Sequence, residues 1–127
     1  MAATENQIEE VERRFGVRLP DDYRRFLLTK GWMDEFLPPA NAYLSIYPVD
    51  EVVAVNEAAD VQSRFPGAIV IGSDGSRERL TYDFRHGRSS LVLLDITAED
   101  WSAALYQATS LTALLEQLPV RGWLFEP

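Results

Sequence analysis

The stretch Ala68–Leu94, AIVIGSDGSRERLTYDFRHGRSSLVLL, constrains the fold more than any other part of the chain. Its three apolar runs are separated by two turn-forming segments, Gly72-Ser73-Asp74-Gly75-Ser76 and His86-Gly87. Short apolar runs bounded by Gly, Asp and Ser are strand signals, because those residues let the backbone reverse. Ala68–Ile71 reads as a short buried strand. Glu78–Arg85 alternates, with Leu80, Tyr82 and Phe84 set against Arg79, Thr81, Asp83 and Arg85. That period predicts an antiparallel strand with one buried and one wet face. Leu91–Leu94 is apolar on both faces and reads as a central strand. A sheet of this kind buries a face against helices, and the flanking sequence supplies them.

On the N-terminal side, Thr4 followed by Gln7 has the form of a capping box, and Ile8, Val11 and Phe15 recur at helical spacing. The first helix spans about residues 4–15, with Gly16 as its stop. Val17–Pro20 is an extended link. Pro20 suits a helix start, Tyr23, Phe26 and Leu27 form the next apolar stripe, and Lys30-Gly31 closes helix two. The two helices form an αα-hairpin against the sheet. Residues 32–42, WMDEFLPPANA, read as a loop whose Trp32, Phe36 and Leu37 either cover the edge of the core or present an apolar patch to a partner beside Asp34 and Glu35. Tyr43–Tyr47 is a strand that places Leu44 and Ile46 on one face, and Pro48 ends it. Val49–Ser63 reads as one helix, with Val49, Val52, Val53 and Asn56 inward and Asp50, Glu51, Glu57 and Asp60 outward.

Beyond the organising stretch, Ala103–Ala108 is an edge strand and Ser110 a helix N-cap. Leu111, Leu114, Leu115 and Leu118 make a helical stripe that Pro119 stops. In the tail 119–127, Trp123, Leu124 and Phe125 either pack back on the domain or mediate weak self-association, because large apolar side chains favour burial by roughly 1.5–3 kcal/mol each. The expected fold is a single α+β domain. It has two N-terminal helices, a mostly antiparallel sheet of about four to six strands, an acidic helix after the first strand and a C-terminal helix. At 127 residues the chain fits one domain, with its core over about residues 8–118.

Charge and composition narrow the function. The net charge is −8 and there is no cysteine. Phosphate backbones repel such a chain, so nucleic acid is not an expected partner. Disulfides, thiolate nucleophiles and Cys-based zinc sites are excluded. The N-terminus lacks the basic and apolar regions of a signal peptide and no run is long enough to span a membrane, so the cytoplasm is the expected compartment. A single Lys against eleven Arg leans toward a GC-rich, bacterial genome. From Gly31 to Ser63 there is no Lys or Arg, while Asp34, Glu35, Asp50, Glu51, Glu57 and Asp60 all fall there. Arg77, Arg79, Arg85 and Arg88 sit in the organising stretch, so an acidic face and a basic hairpin edge are expected.

No catalytic signature emerges. His86, the only histidine, lies in a turn among arginines, and no nucleophile elbow is present. Gly72–Gly75 lacks the Lys-Ser/Thr of a phosphate cradle. Asp74 is expected to cap its turn and Asp83 to pair with Arg79 or Arg85. No cofactor and no metal site is expected, and the chain reads as a non-enzyme. The alternative is a small-molecule binder or enzyme with a pocket near Gly72–Gly75 and Asp83, into which His86 would point.

The run IEEVERRFGVRLPDDYRRFLLTKG, through Ile8, Phe15, Gly16, Leu19, Pro20, Tyr23, Phe26 and Leu27, resembles the opening of the SUKH superfamily, also called the cell-wall assembly regulator family. The likeness continues through Ile71–Gly75, Asp83, Leu91–Leu94 and the last helix, about residues 8–118. Two departures stand out: Lys30-Gly31-Trp32 in place of an Asn-Gly-Gly-like turn, and Arg77-Glu78 where a further glycine is common. The resemblance implies a SUKH-like fold and a bacterial immunity protein that binds and neutralises a toxin, often a nuclease. A regulatory domain for a cellular partner is the other implied role. Because a nuclease domain is usually basic, the charge distribution singles out Trp32, Asp34, Glu35, Asp50, Glu51, Glu57 and Asp60 as the candidate partner-binding surface.

Overall fold

The structure, a computed structural model, describes residues 2–125; Met1 and the last two residues of the tail, Glu126 and Pro127, lie outside them. α1 (Glu5–Phe15) starts at Thr4, whose hydroxyl accepts from the Gln7 amide while the Gln7 side chain accepts from the Thr4 amide. This is the expected capping box. Glu12 then fixes the link to α2 (Asp21–Thr29): one carboxylate oxygen accepts from Leu19 N at 2.7 Å and the other from Arg24 at 2.7 Å.

Among the described residues, six strands form one antiparallel sheet in sequence order: β1 (Met33–Leu37), β2 (Ala42–Ile46), β3 (Ala68–Ser73), β4 (Glu78–Asp83), β5 (Ser90–Asp95) and β6 (Leu105–Ala108). α3 (Val49–Ala58) and α4 (Val61–Arg64) lie between β2 and β3 in the chain, and α5 (Leu111–Arg121) follows β6. The α+β fold expected from the sequence is therefore present. α1, α2 and α5 cover one face of the sheet, where Ile8, Val11, Tyr23, Leu27, Leu111, Leu114 and Leu118 pack with Leu44, Ile46, Ile69, Ile71, Leu80, Tyr82, Leu91 and Leu93. Asp22 ties α2 to the start of α5 by accepting from Thr112 N at 2.9 Å and from its hydroxyl at 3.0 Å.

The other face is covered only in part. Val61 and Phe65 from the α4 region, with Ala98, pack on Ala68, Val70, Val92 and Leu94. That layer corrects the expected wet face of β4: Thr81 is buried between its cross-strand neighbours Val70 and Val92, and Asp83 is buried too. Three boundaries also differ from expectation. The expected loop 32–42 contains β1, an edge strand joined to β2 by Pro38–Asn41. The expected helix 49–63 breaks at Asp60, whose φ of 50° is left-handed, and resumes as α4. Pro119 does not stop α5, which runs on to Arg121. Proline removes one N–H bond near the helix end, where few bonds remain to lose, and the Pro119 carbonyl accepts from Ala40 N at 2.9 Å in the β1–β2 hairpin.

Trp123 and Leu124 of the tail pack on their own domain, while Phe125 stands exposed. Trp123 Nε1 donates to Tyr43 O of β2 at 2.9 Å, and Leu124 N donates to Gln107 Oε1 of β6 at 2.9 Å. Two residues just past α5 thus bridge strands that stand four places apart in the sheet.

β2 and β3 pair only at Ser45–Ser73 and Ile46–Gly72, with Tyr47 N donating to Ile71 O just beyond. The approach there is close enough that a Cβ on Gly72 would stand 2.0 Å from Ser45 O, so the position requires glycine. Past that point β2 turns away, and α3 takes its place. The fully buried Asn56 accepts from Val70 N at 2.9 Å and donates to Val70 O at 2.8 Å. Gln62 donates to Ala68 O at 2.8 Å and to Asn56 Oδ1 at 3.1 Å. Two side-chain amides therefore continue the ladder that a strand would make. Asn56→Leu keeps the branched shape with a larger volume and leaves the amide and carbonyl of Val70 without partners. Urea unfolding should show a loss of about 2–4 kcal/mol; a loss under about 0.5 kcal/mol would mean that β3 does not depend on this substitute strand.

Candidate functional site

The sequence-derived acidic surface is partly assembled. Trp32 leaves α2 through Gly31 and stands 47% exposed. On one side it lines a groove of about 540 Å³ with Ala2, Pro48, Asp50 and Glu51. On the other it lines a smaller one with Lys30, Asp34 and Glu35. The fold thus gathers Trp32, Asp34, Glu35, Asp50 and Glu51 around one exposed indole. Asp50 and Glu51 occupy the first turn of α3, where the helix dipole favours negative charge. Among the described residues these four carboxylates make no ion pair, although Lys30 lines a groove with Asp34 and Glu35, Arg79 one with Asp34, and Arg14 one with Asp50.

Glu57 and Asp60 do not join this group. Glu57 lies about 10 Å further along α3 and accepts from Arg14 Nη1 of α1 at 2.6 Å. The absence of basic residues between Gly31 and Ser63 therefore does not hold in space, because α1 packs beside α3 and delivers an arginine to it. Asp60 sits at the helix break, further still from Trp32.

The sequence did not single out the pairing of Phe36 with Tyr43. Phe36 is 65% exposed and meets the Tyr43 ring edge-on at 5.0 Å. With Asp34, Ser45 and Tyr47 it lines the uncovered part of the sheet's second face, beside Ser73–Ser76. In Met33–Leu37 the acidic pair Asp34-Glu35 falls on both strand faces and hides the alternation of Met33 and Leu37. The Pro-Pro-Ala-Asn turn that follows was the available signal.

Half of the basic hairpin edge is consumed by internal pairing: Arg77 and Arg85 meet carboxylates, while among the described residues Arg79 and Arg88 make no ion pair. Arg77 faces Asp95 at 3.4 Å, and Arg85 meets Asp83 through Nε and Nη2 at 3.0 Å each. Arg85 also lies over the Trp101 ring, 4.1 Å from its centre. Asp83 thus pairs with Arg85, and Asp74 caps its turn by accepting from Ser76 N at 2.9 Å. These two carboxylates stand at opposite ends of β4, about 17 Å apart along the strand. The Gly72–Gly75 turn and Asp83 therefore do not share a pocket. His86 is exposed in the turn after β4, at the Asp83 end. Among the described residues no three His, Asp or Glu side chains group to hold a metal ion, and no helix is long and apolar enough to cross a membrane.

Two carboxylates near the β4 hairpin have displaced pKa values of opposite sign. Burial, then the carboxylates of Asp95 and Asp74, raises Glu78 above its ordinary range. Burial also opposes ionisation of Asp83, but the hydrogen bonds from Arg85 outweigh it and hold Asp83 below its ordinary range. A raised acid disfavours the folded state once ionised. Glu78→Gln should therefore raise the melting temperature at about pH 7 and leave it unchanged at about pH 3, where the glutamate is neutral in both states. A lowered acid contributes stability above its unfolded pKa and loses it as pH falls through the folded value. Asp83→Asn should therefore lower the melting temperature at about pH 7, and the deficit should shrink in acid below about pH 4. Thermal unfolding across this range checks both signs.

The family model of the SMI1 / KNR4 family (SUKH-1) matches residues 2–117, nearly the whole described domain. The matched span includes α1, α2, all six strands and most of α5. Curated proteins give no match to the chain.

Proposed function

The chain belongs to the SMI1 / KNR4 family (SUKH-1), and from that premise we propose that it is a non-catalytic protein-binding module, an immunity protein that neutralises a basic toxin domain in the bacterial cytoplasm. Family membership is consistent with an interaction module of either the immunity or the regulatory kind. One observation favours a basic partner: the exposed Trp32 ringed by Asp34, Glu35, Asp50 and Glu51. An exposed indole is a common interface anchor, and carboxylates that no internal cation neutralises steer a positive partner and speed encounter. The tail's bonds to Tyr43 and Gln107 support a monomeric inhibitor, since Trp123 and Leu124 are engaged at home.

The test starts with capture of a partner from the source organism's lysate and secreted fraction, followed by association kinetics. Asp50→Lys with Glu51→Lys should slow association by about tenfold or more at low salt and flatten its salt dependence. Trp32→Ala should act mainly on dissociation. Glu57→Lys is the weaker probe, because it also breaks the pair with Arg14. An unchanged on-rate for the double reversal would remove the acidic surface from the interface. A captured partner that is a cellular enzyme or scaffold would replace the immunity reading with the regulatory one.

A further inference from the structure

We propose that the free edge of β1 receives an extended, basic segment of the partner as a seventh strand, with Phe36 as its aromatic anchor. This deepens the interaction-module reading and rests on it. The backbone directions follow from bonds on either side of β2. Tyr47 N donates to Ile71 O and Tyr43 O accepts from Trp123, so Tyr43, Ser45 and Tyr47 address their polar backbone groups away from β1. Ala42, Leu44 and Ile46 therefore carry the ladder to β1, matched by Leu37, Glu35 and Met33 in the register. Asp34 and Phe36 then aim their N–H and C=O outward, and among the described residues no group bonds to them. A row of open donors and acceptors on an edge strand is a template for strand addition.

The chemistry of the occupant is set by what surrounds the row. Asp34 and Glu35 lie on the strand itself, and Asp50 and Glu51 stand across Trp32 from them; the opposing charges are Lys30 beside Trp32, Arg14 in a groove with Asp50, and Arg79 further along the face that carries Asp34 and Phe36. A second copy of this chain is disfavoured: antiparallel pairing centred on Glu35 sets that carboxylate opposite itself, and like charges directly opposite are destabilising. A segment carrying Lys or Arg meets no such penalty. Its alternate side chains reach Phe36 and Asp34, which share a strand face with Tyr43 and Ser45. The opposite edge is less available, because the tail is bonded to Gln107 of β6 through Leu124 N and Leu124 O.

The experiment uses the full chain and two capped octapeptides, one alternating Lys with Val and one alternating Glu with Val, each at millimolar concentration. Amide exchange by NMR is the readout. The Lys peptide should slow exchange of Asp34 and Phe36 amides about tenfold and leave that of Glu35, already in the β1–β2 ladder, unchanged; the Glu peptide should slow neither. Comparison of Asp34→Ala with Asp34→Pro isolates the backbone: both remove the charge, but only proline removes the outward N–H while sparing the ladder to β2. Asp34→Pro should bind the Lys peptide several-fold more weakly than Asp34→Ala. Equal affinities, or no slowing at Asp34 and Phe36, would overturn strand addition. Slowing that grows with protein concentration in the absence of peptide would assign the edge to a second copy and overturn the basic occupant. The interaction-module reading survives any of these failures and falls only if capture from the lysate and secreted fraction yields no partner.

Discussion

The structure depends on how the backbone of β3 is satisfied on the side that β2 abandons. A buried strand cannot leave N–H and C=O groups unpaired without a cost of about 1–3 kcal/mol each. The two-pair contact between β2 and β3 is too short to cover Ala68 and Val70. Asn56 and Gln62 fill that need with carboxamides, which carry the same donor and acceptor as a peptide group. The consequence reaches well beyond β3. For Asn56 to reach Val70, α3 must lie in the gap that β2 leaves, which fixes where its first turn begins. That first turn carries Asp50 and Glu51 to Trp32. The candidate surface is thus held in place by a hydrogen-bond pair two helical turns away.

A second constraint acts at the ends of the sheet. A meander of six antiparallel strands has two edges, and the chain treats them differently. α5 and the residues after it couple β6 to the β1–β2 hairpin through Gln107, Tyr43 and the Ala40–Pro119 bond. The same segment that steadies the hairpin approaches β2 from the β3 side, because Tyr43 O points that way. The outer side of β1 remains open. Its protection against indiscriminate pairing is the acidic pair Asp34-Glu35, a device that rejects copies of itself while tolerating a basic strand.

Periodicity made most of this architecture legible. The apolar stripes of α1, α2 and α5, the alternation of β2 and the inward face of β4 at Leu80 and Tyr82 reported local geometry that packing then confirmed. The family likeness carried the arrangement, and the match over residues 2–117 agrees with it. What stayed hidden depended on contacts between distant segments. Thr81 and Asp83 read as wet because nothing in their own strand reveals that Phe65, Ala98 and Trp101 fold over that face. β1 read as a loop because Asp34 and Glu35 occupy adjacent, opposite-facing positions and blur the period of two. Glu57 read as part of an unopposed acidic run because Arg14 approaches it from a helix 43 residues earlier in sequence. Asn56 was correctly placed inward by its spacing, yet its role as a strand substitute required knowing that β2 departs.

The way charge is paired gives the acidic surface its meaning. Arg13, Arg14, Arg18, Arg24, Arg77 and Arg85 are all drawn into pairs with carboxylates elsewhere on the molecule. Most are exposed, and exposed pairs contribute little to stability, about 0–1 kcal/mol each. Their larger effect is on the field. Each internal pair cancels one positive charge locally, so the net charge of −8 is expressed where carboxylates outnumber the cations near them. One such place is the junction of β1 and the start of α3, around Trp32. At physiological salt the field of such a cluster extends only about 8 Å, so it would act on the proposed partner only near contact. The exposed indole lies between the carboxylates at the start of α3 and the open backbone row of β1. A basic extended segment added to β1, as proposed, would pass Phe36 and Asp34 and end beside Trp32 and the carboxylates of α3.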